Sequence, residues 1–258
     1  MLEKALQTYL SKAPFDRFDL NAVLFDMDGV LFDSMPRHAF AWCTTMQELG
    51  LAFTEEECYL HEGRTGSGTI NIVFQRTYGR NATEAEVECI YARKTVLFES
   101  QSEAPVMPGA LELLNQVKAA GLQRVLVTGS GQEALLTRLN RHFPGQFEVD
   151  KMVTAYDVKH GKPDPEPFLM GMKKAGADPH QAIVVENAPL GIQAAKAAGL
   201  FTIAVNTGKL KDSHLWEAGA DLVIHGGMPA LSKRWPELLN HIRAHYPGQT
   251  AGTTPLSR

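Results

Sequence analysis

Strand-like runs alternate with helical patterns along most of this chain, and that alternation constrains its fold more than any other feature. Short apolar or β-branched runs stand at 22–25, 125–128, 152–155, 182–186, 202–205 and 222–224. Helical spacing separates the later ones. Ala110, Leu113, Leu114 and Val117 repeat at i, i+3, i+4 and i+7, and Gly121 ends that helix. Leu135, Leu136 and Leu139 mark another helix, and Ile192, Ala195 and Ala198 a third. The pattern predicts an α/β fold with a parallel sheet covered on both faces.

The first interval breaks this rhythm. About 100 residues lie between the first two runs, far more than one crossover helix needs. The interval is helical in pattern, with Ala39, Trp42, Met46 and Leu49 on one face and Val87, Ile90, Tyr91, Leu97 and Phe98 on another. We expect an inserted helical cap at 35–104, with Pro36, Pro105 and Pro108 punctuating the crossings. Residues 18–34 and 105–245 would then form one Rossmann-like core. Leu2, Ala5, Leu6, Tyr9 and Leu10 predict a short amphipathic helix within a 1–17 extension, and 246–258 reads as a frayed tail.

Composition narrows the function classes. An apolar fraction of 44% and a charged fraction of 21% are ordinary for a globular protein. A net charge of −4 offers no global footprint for nucleic acid or an anionic membrane. No apolar run approaches a bilayer span, and Glu3 and Asp16 interrupt any signal-peptide pattern. Cys43, Cys58 and Cys89 are scattered and form no CxxC pair, so a reduced, cytoplasmic chain is expected, and a monomer.

Chemistry gathers at the strand ends. In "AVLFDMDGVLFDS", Asp26 and Asp28 are two apart, so extended backbone would aim both carboxylates at one volume. One could attack while the other moves the leaving-group proton; the alternative is an Asp-Gly turn closing the strand. Thr128 ends the second run. Ser130, flanked by Gly129 and Gly131, reads with Glu133 as a capping box, though a hydroxyl and free amides there would also hold phosphate. Lys162 sits in a loop stiffened by Pro163, Pro165 and Pro167. Glu186 and Asn187 end the fourth run and supply oxygen donors suited to Mg²⁺. Carboxylate pair, hydroxyl, lysine and oxygen-donor pair converge on a phosphoryl-transfer site.

With those four motifs the sequence resembles the haloacid dehalogenase (HAD) superfamily, with the helical cap of its β-phosphoglucomutase-like subgroup. The resemblance runs from about Ala22 to Ile224. It implies that Asp26 is the nucleophile forming an aspartyl-phosphate, and that Asp28 is general acid/base and lends its backbone carbonyl to Mg²⁺. By the same resemblance Thr128 and Lys162 hold the phosphoryl group.

The cap should choose the substrate. "HEGRTGSGTI", at 61–70, is the natural loop to reach the core, although glycine-rich loops are usually plain connectors. Mutases of the subgroup place an arginine three residues after the loop glycine; here that place is Gly66, and the arginine is Arg64. Gly131 and Gln132 replace the lysine and asparagine that such mutases carry after the second motif. Lys94 resembles the subgroup's cap lysine and either snorkels or pairs with the leaving group. His38 and Trp42 match positions past the first crossing, Trp42 as core packing and His38 as a hinge hydrogen bond or proton relay.

Glu62 is the sharpest feature of the cap. A carboxylate aimed at a phosphate site is unfavourable unless a cation lies between them, and Asn187 leaves the metal site one charge poorer than Asp would. We expect Glu62 to supply the missing anionic ligand when the cap closes, which suits a compact leaving group. The constellation of "FDMDGVLF", "HEGRTG", "TINIVFQR", "VTGSGQ" and "VVENAPLG" resembles HAD-type inorganic pyrophosphatases. The first expectation is therefore pyrophosphate, with a β-phosphoglucomutase or sugar-phosphate phosphatase as the alternative.

Overall fold

The computed structural model describes residues 2–130 and 135–246. Helix α1 (Leu2–Leu10) precedes strand β1 (Ala22–Phe25), as the spacing of its apolar residues predicts. Four helices follow: α2 (Met35–Glu48), α3 (Glu55–Leu60), α4 (Gly66–Tyr78) and α5 (Glu84–Glu99). The chain then alternates through α6 (Ala110–Ala119), β2 (Gln123–Val127), α7 (Leu135–His142), β3 (Met152–Val153), α8 (Glu166–Ala175) and β4 (Ala182–Glu186). It ends through α9 (Pro189–Ala197), β5 (Phe201–Val205), α10 (Asp212–Glu217), β6 (Leu222–Ile224) and α11 (Gly227–His245).

The six strands pair in the order β3-β2-β1-β4-β5-β6, all parallel. Central strands read as unbroken apolar runs because helices cover both faces. Alternate residues divide between two cores. Val23, Phe25, Ile183 and Val185 pack with α6 and α11, while Ala22, Leu24, Ala182 and Val184 pack with Phe168, Ala194 and Ala195. Helix α1 joins the first core through Leu6 and Tyr9, whose hydroxyl donates to the Gly199 carbonyl at 2.8 Å.

Helices α2 to α5 form a cap with its own apolar cluster around Trp42, Met46, Ile70 and Ile90. Thr54 with Glu57 caps α3, Thr65 caps α4, and Thr83 with Glu86 caps α5. Two crossing segments pair where cap meets core: Asp33 donates to the Pro105 carbonyl and Met107 to that of Leu31. Leu49 departs from its expected place on the buried face of α2. It follows the last turn and is 48% exposed, because the chain turns at Gly50 and Leu51 fills the cap core instead. The second strand also starts earlier than its most apolar stretch, at Gln123, since pairing with Ala22 extends the ladder. The expected tail falls, apart from Tyr246, outside the described residues, as does Glu133 of the expected capping box.

Candidate active site

The ends of β1, β2 and β4 bring the acids and the lysine together. Asp26 follows the last residue of β1, and its N–H donates to the Val185 carbonyl, so the sheet itself sets the backbone of the carboxylate. The Lys162 ammonium donates to Asp26 Oδ1 at 2.5 Å and to Glu186 Oε1 at 2.6 Å. Lys162 is 3% exposed and Glu186 fully buried. Burial pushes the Asp26 carboxyl up to about 8; Lys162 pulls it down, and Glu186 and Asp28 add to the rise. Burial alone would lower the Lys162 ammonium, but the flanking carboxylates hold it charged.

Glu186 was expected to face a metal, yet its oxygens are already engaged. Oε1 takes Lys162, and Oε2 takes the backbone N–H groups of Asn187 and Ala188 at 2.8 and 2.9 Å. It braces the lysine and the turn into α9.

Asp28 lines the same cavity as Asp26, as the i, i+2 spacing predicts. Its Oδ1 accepts from the Ser34 hydroxyl and lies 3.6 Å from His38 Nε2. Burial acts to raise this carboxyl, but His38, Ser34 and the Arg138 charge outweigh it and lower it to about 2. Ser34, which sequence reasoning missed, precedes α2 without capping it; its side chain serves Asp28 instead. Its only signal was a hydroxyl beside a carboxylate motif.

The cap reaches down onto this floor. Asn187 Nδ2 donates to both oxygens of Glu62, at 3.0 and 3.1 Å. Burial, together with Asp26, pushes the Glu62 carboxyl well above the ordinary range, and the Asn187 bond only partly offsets this. Gly29, at φ +79°, lets Asn187 lie against the nucleophile turn: a Cβ there would stand 2.1 Å from Nδ2. Gly63 follows at φ +84°, and a Cβ on it would approach Lys162 Cδ to 3.1 Å.

A cavity of about 110 Å³ lies between cap and core, lined among others by Asp26, Asp28, Glu62, Arg64, His38 and Lys94. Lys94 is 5% exposed, its ammonium 3.1 Å from His38 Nδ1 and 4.7 Å from the Phe98 ring centre. Burial lowers it to about 8. The position is no surface snorkel. Arg64 Nε is buried without a hydrogen-bond partner among the described residues. Trp42 packs in the cap core as expected.

Gly129 and Ser130 also line this cavity, whereas Thr128 and Lys162 line an adjoining pocket of about 100 Å³ beyond Gly63 and Gly129. The Thr128 hydroxyl accepts from the Ser130 N–H at 3.0 Å, so it shapes the turn, and its own proton remains available to a phosphate oxygen.

Among the described residues no three His, Cys, Asp or Glu side chains form a ready-made ligand set. The donor chemistry nevertheless fits a hard divalent cation, because Asn187 Oδ1 is buried without a partner among the described residues, beside the Asp26 and Glu62 carboxyls, which burial and then neighbouring acids raise. An amide oxygen completes what the acids alone do not.

Comparison with known proteins agrees with this architecture. Residues 20–199 match the family model of haloacid dehalogenase-like hydrolases. A hexitol phosphatase A of Escherichia coli (strain K12) is 32% identical over 207 residues, covering 78% of this chain and 89% of that protein. A fructose-1-phosphate phosphatase of the same organism is 33% identical over 184 residues, covering 71% and 95%. A solved structure from Bacteroides vulgatus, carrying the provisional name beta-phosphoglucomutase, superposes with a TM-score of 0.90 at 52% identity, covering 94% and 98%. None of these three names includes pyrophosphate.

Proposed function

This chain belongs to the haloacid dehalogenase-like hydrolases as a phosphatase, and from that premise we propose that it hydrolyses small sugar or polyol phosphates through a phosphorylated Asp26. The observation that carries the reading is the Asp26 carboxylate at a strand end, held by Lys162 beneath a closed cap. The two phosphatase relatives support the substrate class.

In the first half-reaction an Asp26 oxygen attacks phosphorus and the bond to the leaving oxygen breaks. Lys162 and Thr128 hold the phosphoryl oxygens, and Asp28 gives the leaving oxygen its proton. Ser34 and His38 keep Asp28 ionised in this arrangement, so before the acid step Asp28 exchanges those bonds and takes up a proton from solvent, which it then passes to the leaving oxygen. In the second half Asp28 takes a proton from water, which attacks the aspartyl-phosphate, releases phosphate and restores Asp26. Mg²⁺, held by Asp26, the Asp28 carbonyl and Asn187, with Glu62 from the cap, would neutralise charge on the phosphoryl group. Arg64 and Lys94 meet the leaving group, and Gly129 offers its amide and Ser130 its hydroxyl to phosphate. The reading includes a cytoplasmic monomer, and the three free cysteines among the described residues fit a reducing compartment.

One contact favours a second reading. The Glu62–Asn187 pair draws the cap onto the floor and leaves the small cavity, which suits pyrophosphate, whose leaving group is phosphate. A Mg²⁺ panel of fructose 1-phosphate, hexitol phosphates, β-glucose 1-phosphate with its bisphosphate, and pyrophosphate decides. A kcat/KM for pyrophosphate about tenfold above every sugar phosphate selects the second reading, and the reverse order the first. Failure to turn over any of them would sink the phosphatase.

A further inference from the structure

Residues 206–210, between β5 and α10, touch the nucleophile turn and the cap at once. The Thr207 hydroxyl donates to the carbonyl of Gly29, directly after Asp28. Gly208 lies under Tyr59 of α3 so closely that a Cβ there would stand 2.9 Å from the ring. Lys209 reaches Glu55, also on α3, with its ammonium 2.8 and 2.9 Å from the two carboxylate oxygens. Leu210 is a core residue by sequence, yet it is 9% exposed and buried within the cap's apolar cluster. The loop also carries bonds of its own. Asn206 Nδ2 donates to the Leu210 carbonyl at 2.8 Å and to Asp212 Oδ1 at 2.6 Å, stapling the segment to itself.

The element that these contacts hold is α3, which ends at Leu60 and leads within two residues to Glu62. A core loop thus grips the helix that delivers the cap carboxylate, and its other side rests on the turn carrying Asp28. We propose that the 206–210 loop is a positioning element of the reaction, setting the height and register of the cap loop over the nucleophile. It touches no reacting atom and acts through α3 and Glu62. The apolar contacts carry most of the effect, since the Lys209–Glu55 pair is solvent-exposed and such pairs contribute little. The proposal rests on the phosphatase reading only for its kinetic consequence.

Two variants and one rescue test it. Leu210→Ala should lower kcat/KM on the best substrate of the panel by about tenfold, chiefly through KM, because closure becomes less favourable. Lys209→Glu, on an exposed residue that the core does not need, should lower it about threefold, and adding Glu55→Lys should restore it. Small-angle scattering without substrate should show both single variants shifted to a larger radius of gyration than the wild type, and the double variant returned toward it. Unchanged scattering together with unchanged KM in both single variants would overturn the proposal, as would a Lys209→Glu loss that Glu55→Lys deepens. A wild type that turns over no substrate would refute the function alone, since scattering still decides the loop.

Discussion

Asn187 and Glu62 meet across the seam between core and cap, one amide nitrogen donating to both oxygens of one carboxylate. The amide oxygen of the same Asn187 is buried without a partner among the described residues, on a floor that also holds Asp26 and Asp28. An aspartate at this position would face Glu62 as a like charge, whereas the amide lets the cap carboxylate approach. The substitution that first reads as a weakened metal site therefore permits the closed arrangement.

Glu62→Ala should raise the Mg²⁺ concentration for half-maximal activity by about tenfold, the scale of losing a supporting ligand. Pyrophosphate turnover should fall further than hydrolysis of a bulky sugar phosphate. Metal titrations with both substrates check this, and equal losses would leave Glu62 as a structural contact of the closed cap.

Asp26→Asn should reduce turnover by roughly a thousandfold or more, because an amide cannot form the covalent intermediate. Acid-quenched protein, examined by mass spectrometry during turnover, should carry phosphate in the wild type and none in the variant. Activity surviving in the variant would remove the covalent mechanism.

Lys94 should link pH to substrate affinity. Burial lowers its ammonium to about 8, so it is charged below that pH and neutral above it. KM should therefore rise as pH increases through about 8, and Lys94→Met should raise KM at low pH and flatten this limb. A wild-type KM that stays level from pH 7 to about 9 would show that the charge on Lys94 is not used in binding.

Gly29→Ala should destabilise the protein by roughly 1–3 kcal/mol and disable the site together. The residue has φ +79°, and the new methyl would displace the Asn187 amide. Thermal unfolding and Mg²⁺ titration measure the two effects, and a variant with normal stability and normal metal response would contradict the packing described.

The strands were legible because each central one is a short apolar run bounded by polar residues. β1, β4 and β6 occupy the predicted positions. Asp26, Asp28, Thr128 and Lys162 could be picked out because strand ends mark one edge of a parallel sheet. Glu186 was legible only in part. Its place beside Asn187 suggests a paired ligand, and the fold adds bonds to Lys162 and the backbone amides of its own turn. Ser34 and the 206–210 loop carried almost no local signal, since their importance lies in partners distant in sequence.

Local pattern alone reaches the parallel α/β core, the inserted helical cap, the acids at the strand ends and the lysine in the loop after β3. These follow from periodicity and from chemistry that any fold must satisfy locally. Folding adds that Glu62 bonds Asn187, that Lys94 is buried against His38, and that Leu210 of the core belongs to the cap's apolar cluster. Those relationships join residues separated by tens to more than a hundred positions, and their energies depend on burial and distance. Neither quantity exists until the chain is folded.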